Sequence, residues 1–162
     1  MYAELHAISN YSFLRGVSHP HELVKQAAEL GYQAIAITDE CSFAGIVKAH
    51  EAAKQCQLKL LVGAEFKLAQ GVFVLLAMNR CGYGQISQLI TASRRRAEKG
   101  DYLLQLSDLL QGLEHTILLW QPASLASIRS DAGELSDQLT SYQANRSEER
   151  RVGKECRSRW SP

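Results

Sequence analysis

Four side chains in the first 65 residues, His6, Asp39, Glu40 and Glu65, could together hold a divalent metal ion. They close three apolar, strand-like runs: Tyr2-Ala3-Glu4-Leu5-His6, Ala34-Ile35-Ala36-Ile37-Thr38-Asp39-Glu40 and Leu60-Leu61-Val62-Gly63-Ala64-Glu65. An imidazole beside several carboxylates suits zinc, manganese or magnesium. Such an ion activates water and holds phosphate oxygens. Side chains at the carboxyl ends of parallel strands converge on one rim of an α/β fold, where sites are built. One such ending would mean little; three in step with a βα repeat define a candidate site. Glu4 is an outlying addition to it.

A second group, Arg94, Arg95, Arg96 and Lys99, leaves two readings open. Each cation could displace a counterion from nucleic acid. Equally, the group suits a solvated helix end, where cations favour the dipole. Lacking interleaved aromatics, it is no stand-alone nucleic-acid signature. His19 and His21 flank Pro20 in a helix's first turn, and His50 and His115 read as surface or structural residues. The chain has no GxxxxGK[ST], no GxGxxG after a strand and no GxSxG elbow.

The elements that position the site follow from periodicity. Ser18 or His19 caps a helix with Pro20 in its first turn, Leu23, Ala27 and Leu30 on one face and Gly31 as its stop. Ala34–Thr38 reads as a buried strand, and Ser42 opens a helix through Ile46, Ala49, Ala53 and Lys54. Lys59–Val62 is the third strand. A repeat of about thirty residues is the size of a βαβ step, which predicts parallel strands joined by helices. Beyond it, Ala69-Gln70-Gly71 is a tight turn between Phe66-Lys67-Leu68 and the strand Val72–Ala77. A helix after Gly82-Tyr83-Gly84 turns Ile86, Leu89 and Ile90 inward. A short helix capped by Ser107, a strand Thr116–Trp120 and an amphipathic stretch Leu135–Tyr142 follow.

Composition bounds the rest. The 162 residues allow one domain or part of one, with 46% hydrophobic and 22% charged residues. A net charge of +1 gives no bulk attraction to nucleic acid or membrane. The longest apolar run, Val72 to Met78, is far short of the ~18 residues of a membrane span. Cys41, Cys56, Cys81 and Cys156 form no CxxC pair and read as reduced thiols. With no signal pattern at the N-terminus, the expected location is cytoplasmic. From Arg146 the chain loses its apolar residues and periodicity, so 146–162 reads as a disordered or non-native basic tail.

The ordered motifs carry a resemblance. Glu4-Leu5-His6-Ala7-Ile8-Ser9-Asn10-Tyr11-Ser12-Phe13-Leu14-Arg15-Gly16 resembles the opening of the PHP (polymerase and histidinol phosphatase) domain, in the branch that begins bacterial error-prone, C-family DNA polymerases. Ala36-Ile37-Thr38-Asp39-Glu40-Cys41-Ser42 and Leu61-Val62-Gly63-Ala64-Glu65-Phe66 are similar to that branch's second and third motifs. Val74-Leu75-Leu76-Ala77, Gly82-Tyr83-Gly84 and Arg94 to Tyr102 also resemble it. The likeness spans residues 2–145. It implies an α/β fold: the N-terminal portion of a PHP-type distorted (β/α) barrel, truncated, whose partners are the remainder of a polymerase chain and, through that parent, DNA. The resemblance also implies a weakened metal site. His6 matches the first histidine of the opening pair, but Ile8 stands at the second; Glu40 replaces the histidine after Asp39; and Arg15 brings a cation where active members often place a ligand. A later Asp-x-His pair of the family would fall beyond this chain. The expected function is therefore that of a polymerase's N-terminal PHP segment, itself non-catalytic. A PHP-type metal-dependent phosphoesterase and a scaffold or docking module are the alternatives.

Overall fold

A computed structural model describes residues 2–110 and 112–123. The stretch Leu135–Tyr142 and the tail 146–162 lie outside the described residues. Alternating βα units open the chain: β1 (Ala3–Ala7), α1 (Pro20–Glu29), β2 (Ala34–Ile37), α2 (Ile46–Cys56) and β3 (Lys59–Leu68). There follow β4 (Gly71–Ala77), α3 (Arg80–Arg96), α4 (Leu106–Leu110) and β5 (Thr116–Pro122).

The five strands form one sheet in the order β1-β2-β3-β4-β5. β1, β2 and β3 pair in parallel, as the βα repeat predicts. β3–β4 and β4–β5 are antiparallel, so the expectation of parallel strands holds only for the first three. The change happens inside β3. Its first half pairs with β2 as far as Ile37↔Val62, and its second half pairs with β4 from Gly63↔Leu76 to Leu68↔Gly71. Gly63 sits at the junction, where a Cβ would stand 2.5 Å from the Leu75 carbonyl oxygen. Only glycine lets the two strands approach there. β3 therefore runs through Glu65 instead of ending at it.

Two apolar layers flank β2. Ile35 and Ile37 face Val24 and Ala27 of α1 and Ala49, Ala52 and Ala53 of α2. The small alanines let the helices lie close to the sheet. On the other face Ala36 packs with Val74 and Leu76 of β4, two strands away, which requires the sheet to curl into a half-barrel. Phe66, Phe73 and Leu75 are buried in the antiparallel half, as is Ile86 of α3.

Helix boundaries depart from expectation for local reasons. His19 is the N-cap of α1, and the Glu22 side chain accepts its backbone N–H at 2.8 Å. Val24, not Leu30, completes the inward face, because Leu30 falls at the C-cap and is exposed. α2 begins at Ile46 with Gly45 as N-cap. Ser42 instead accepts the Ala44 N–H at 3.1 Å, a local turn that competes with helix. Ser107 lies within α4 rather than capping it.

Candidate functional site

The carboxyl ends of the parallel strands meet the loop 8–19 at one rim. The Thr38 N–H bonds the Ala7 carbonyl at 2.8 Å, so β1 and β2 stay joined where β2 ends. The ladder to β3 resumes two residues later: the Glu65 N–H bonds the Asp39 carbonyl at 3.2 Å and the Cys41 N–H bonds the Glu65 carbonyl at 2.9 Å. This bridge sets Glu40 beside Glu65. Asp39 and Glu40, being consecutive in extended chain, face opposite ways.

Asp39 turns into a buried knot of neutral donors. Its Oδ1 accepts the Ser9 N–H at 2.8 Å and the Ser12 hydroxyl at 2.7 Å, and its Oδ2 accepts the Ser9 hydroxyl at 2.7 Å. Ser12 Oγ in turn accepts the Glu40 N–H at 2.9 Å. Asp39 thus fastens the loop rather than capping α2, which starts seven residues on.

Glu40, Glu65 and His6 meet on the other side, around a guanidinium. Arg15 Nη1 donates to Glu40 Oε2 at 2.8 Å and also to Glu65 Oε1. His6 Nε2 lies 2.7 Å from Glu65 Oε2. Glu65 is fully buried, and its two oxygens are both engaged by these partners. Glu40 is as heavily bonded. Lys67 Nζ lies 3.0 Å from its Oε2, and the Tyr102 hydroxyl donates to its Oε1 at 3.0 Å. Lys67 is two residues from Glu65 on β3 and so shares its face.

The electrostatics follow from these contacts. Burial, reinforced by the Arg15 charge, pushes the His6 imidazole below its ordinary range, so the ring is neutral near neutrality and donates its Nε2–H to Glu65. Burial alone would raise the Glu40 carboxyl. Hydrogen bonds from Arg15, Lys67 and Tyr102 outweigh it and hold the group low. Burial also pushes the neighbouring Cys41 thiol up to about 11, which leaves it unreactive.

The donor set does not fit a metal in this arrangement. Two carboxylates and an imidazole are present, but the oxygens an ion would need face cations already in the chain. Among the described residues no group of three His, Cys, Asp or Glu is placed to hold an ion. Asp39 is turned away into its serine knot, and Glu4 is engaged locally by the Tyr2 hydroxyl at 2.8 Å and the His6 N–H at 3.1 Å.

The basic run divides. Arg94 reaches back to the rim: its guanidinium donates to the carbonyls of Cys41 at 3.3 Å, Gly100 at 3.2 Å and Asp101 at 3.3 Å, and lies 5.5 Å from the Tyr102 ring centre. It clips the 100–102 segment against the site. Arg96 pairs with Asp108, while Arg95 and Lys99 are exposed. Sequence reading missed Ser9, Ser12, Lys67, Tyr102 and this role of Arg94. The three-residue spacing of Ser9, Ser12 and Arg15 was the available signal, because it turns one side of a tight loop inward.

The family follows from the match of residues 4–148 to the PHP domain: this chain belongs to the PHP domain family. It is 56% identical over 124 residues to the error-prone DNA polymerase of Methylococcus capsulatus, covering 75% of this chain and 12% of that protein. It is 52% identical over 122 residues to the error-prone DNA polymerase of Saccharophagus degradans, again covering 75% and 12%. The chain thus spans about an eighth of the curated relatives it matches. Among solved structures, a Bifidobacterium adolescentis protein assigned as a metal-dependent phosphoesterase is 25% identical, with a TM-score of 0.49, covering 70% of this chain and 44% of that one. The domain match and the polymerase relatives carry the assignment.

Proposed function

We propose that this chain is a non-hydrolytic PHP module of an error-prone DNA polymerase, in which an internal ion-pair cluster takes the place of the family's metal ions. The parent would carry out DNA-directed nucleotidyl transfer in damage-associated replication and repair in the cytoplasm, and this module would serve it as a scaffold. The observation that carries the reading is Arg15, whose guanidinium bonds both Glu40 and Glu65. A cation held there repels a metal ion at close range and ties up the oxygens that would ligate it. Ile8, where a second imidazole would stand, offers no ligand atom. Of the basic run, Arg95 and Lys99 are the cations left facing solvent for a phosphate backbone. No helix among the described residues is long and apolar enough to cross a membrane.

The test is metal content and hydrolysis measured together. The chain is equilibrated with zinc or manganese, dialysed, analysed for bound metal and assayed with p-nitrophenyl phosphate. The expected result is less than one ion retained per chain and no turnover. One ion per chain with hydrolysis that Glu65→Gln abolishes would overturn the proposal in favour of a metal-dependent phosphoesterase.

A further inference from the structure

The outer face of α3 carries a pattern that neither the fold nor the rim cluster uses. Gly82, Ile86, Leu89 and Ser93 recur at helical spacing and form its buried face. Arg80, Gly84, Thr91 and Arg95 fall on the opposite side, with Gln88 beside them. From Arg80 to Arg96 the helix holds four arginines and no Asp or Glu; the first acid after it, Glu98, lies beyond its end. Arg94 and Arg96 are spent on the rim carbonyls and on Asp108. Arg80 and Arg95, about 22 Å apart along the helix axis, are exposed and pair with no acid among the described residues.

An aromatic ring stands on the same helix. Tyr83 is 44% exposed, and Phe43 stacks on it with ring centres 4.9 Å apart and planes inclined by 10°. The stack holds the Tyr83 ring from one side and leaves the other for a partner. Gly84, the next residue, has no structural reason to be glycine. Its φ is outside the left-handed region, and a Cβ there would meet nothing within 4 Å. Gly82 differs, because a Cβ there would lie 2.0 Å from the His115 carbonyl oxygen. Glycine on an open helix face is less stable than alanine. What it supplies is bare backbone that a ligand can approach closely.

From this pattern we infer that the outer face of α3 binds single-stranded DNA. A base stacks on the open side of Tyr83, the sugar-phosphate chain passes over Gly84, and Arg80 and Arg95 each hold a phosphate. Cations that track a backbone, joined to an aromatic on which a base stacks, are the make-up of a single-strand site. In a duplex the bases are already stacked on one another, so Tyr83 selects an unpaired strand. An acidic peptide would engage the arginines and leave Tyr83 and Gly84 without a role. The choice of DNA over RNA rests on the polymerase-module reading above; the stacking and phosphate contacts do not.

The experiment titrates the full 162-residue chain into a short fluorescein-labelled oligothymidine. Fluorescence anisotropy is followed from about 50 to 200 mM salt. The single strand should bind at least about fivefold more tightly than a duplex of equal length. Arg80→Gln and Arg95→Gln should each flatten the slope of log affinity against log salt by about 0.7. Tyr83→Leu should weaken binding about fivefold or more and leave the slope unchanged. Gly84→Ala should weaken binding while its melting temperature stays level or rises. Buried Cys41, protected from maleimide in the folded chain, checks each variant. Should Tyr83→Leu expose it, photocrosslinking of the parent chain to an oligonucleotide carrying iododeoxyuridine decides, with Tyr83 the expected site. Parent-like affinity and slope in any of the four variants, crosslinks that miss Tyr83, or equal binding of duplex overturns the proposal. Competition by polyglutamate as strong as by oligothymidine overturns it in favour of an acidic peptide. Tighter binding of oligouridine overturns it in favour of RNA. Failure of the non-hydrolytic reading would show instead as bound metal and turnover in the assay above.

Discussion

Asp39 and Glu65 are both carboxylates sealed from solvent at the same rim, yet the chain holds them in opposite ways. Asp39 takes three neutral donors from one loop, two of them serine hydroxyls. Glu65 takes a guanidinium from that loop and an imidazole from β1. A carboxylate satisfied by dipoles needs no counter-charge and can serve purely to fix a loop. One satisfied by a full charge depends on its partner, because a buried ion left alone is far costlier than a lost neutral hydrogen bond. The serine knot is therefore a fastening. The ion-pair cluster is a charged network, in which Arg15 and Lys67 supply the positive charge to Glu40 and Glu65.

The contrast breaks first at Arg15. Arg15→Met keeps the length of the side chain and deletes the charge, leaving Glu65 buried beside a neutral histidine. Unfolding free energy from urea titration should fall by about 3 kcal/mol. Adding Glu65→Gln to Arg15→Met should recover most of that loss, since the uncompensated charge goes with it. Full additivity of the two substitutions would mean that the pair is not coupled. Zinc or manganese should raise the melting temperature of Arg15→Met and leave the parent chain unmoved, because only the variant frees carboxylate oxygens.

Asp39→Asn comes next. It keeps the shape but turns one acceptor into a donor facing groups that are themselves donors. The expected cost is about 2 kcal/mol by the same titration. Unlike the Arg15 effect it should not respond to added metal. A metal-dependent recovery in Asp39→Asn would erase the distinction between the two carboxylates.

This division was only half legible in the sequence. The strand endings at His6, Asp39, Glu40 and Glu65 could be read because apolar runs of the right length precede them, and the structure does gather His6, Glu40 and Glu65. What periodicity cannot give is facing. Asp39 and Glu40 are neighbours with identical credentials, and the strand pleat sends one to the knot and the other to the cluster. Nor does an apolar run declare its direction. Val72–Ala77 and Thr116–Trp120 read as strands, but their antiparallel pairing depends on β3 continuing past Gly63, and Gly63 looks like a turn residue until its close approach to Leu75 is seen. Lys67 and Tyr102 escaped for a third reason. Their partner Glu40 is 27 and 62 residues away, beyond any local pattern.

Tyr102→Phe tests the outer edge of the cluster at smaller amplitude. It removes the hydroxyl that donates to Glu40 and accepts the Lys67 N–H at 2.9 Å. Glu40 keeps Arg15 and Lys67, so a loss of about 1 kcal/mol is expected. Arg94 also packs on the Tyr102 ring, which phenylalanine preserves. A loss as large as that of Arg15→Met would show that the Arg94–Tyr102 strap, rather than Arg15, holds the site together.

The gentlest discriminator is pH. The His6 and Glu40 pKa values are both lowered on folding, from ordinary values of 6.5 and 4.5. For a group whose pKa is depressed, the folded state resists protonation, so the stability it contributes is present above the unfolded value and lost as pH falls through the folded one. Stability of the parent chain should therefore begin to decline below about 6.5 as His6 is forced toward charge, and decline further below about 4.5 as Glu40 is protonated. Asp39→Asn should show the same onset of decline below about 6.5 from a lower start, because the His6 imidazole lies outside its knot. Arg15→Met should not. Without the guanidinium, His6 loses a repelling charge and faces an unpaired Glu65 carboxylate 2.7 Å away, so its protonation becomes favourable. That variant should gain stability as pH falls through 7 toward 6, where the parent chain holds steady or weakens. A parallel profile for all three chains would mean that Arg15 is not what sets the charge of this rim.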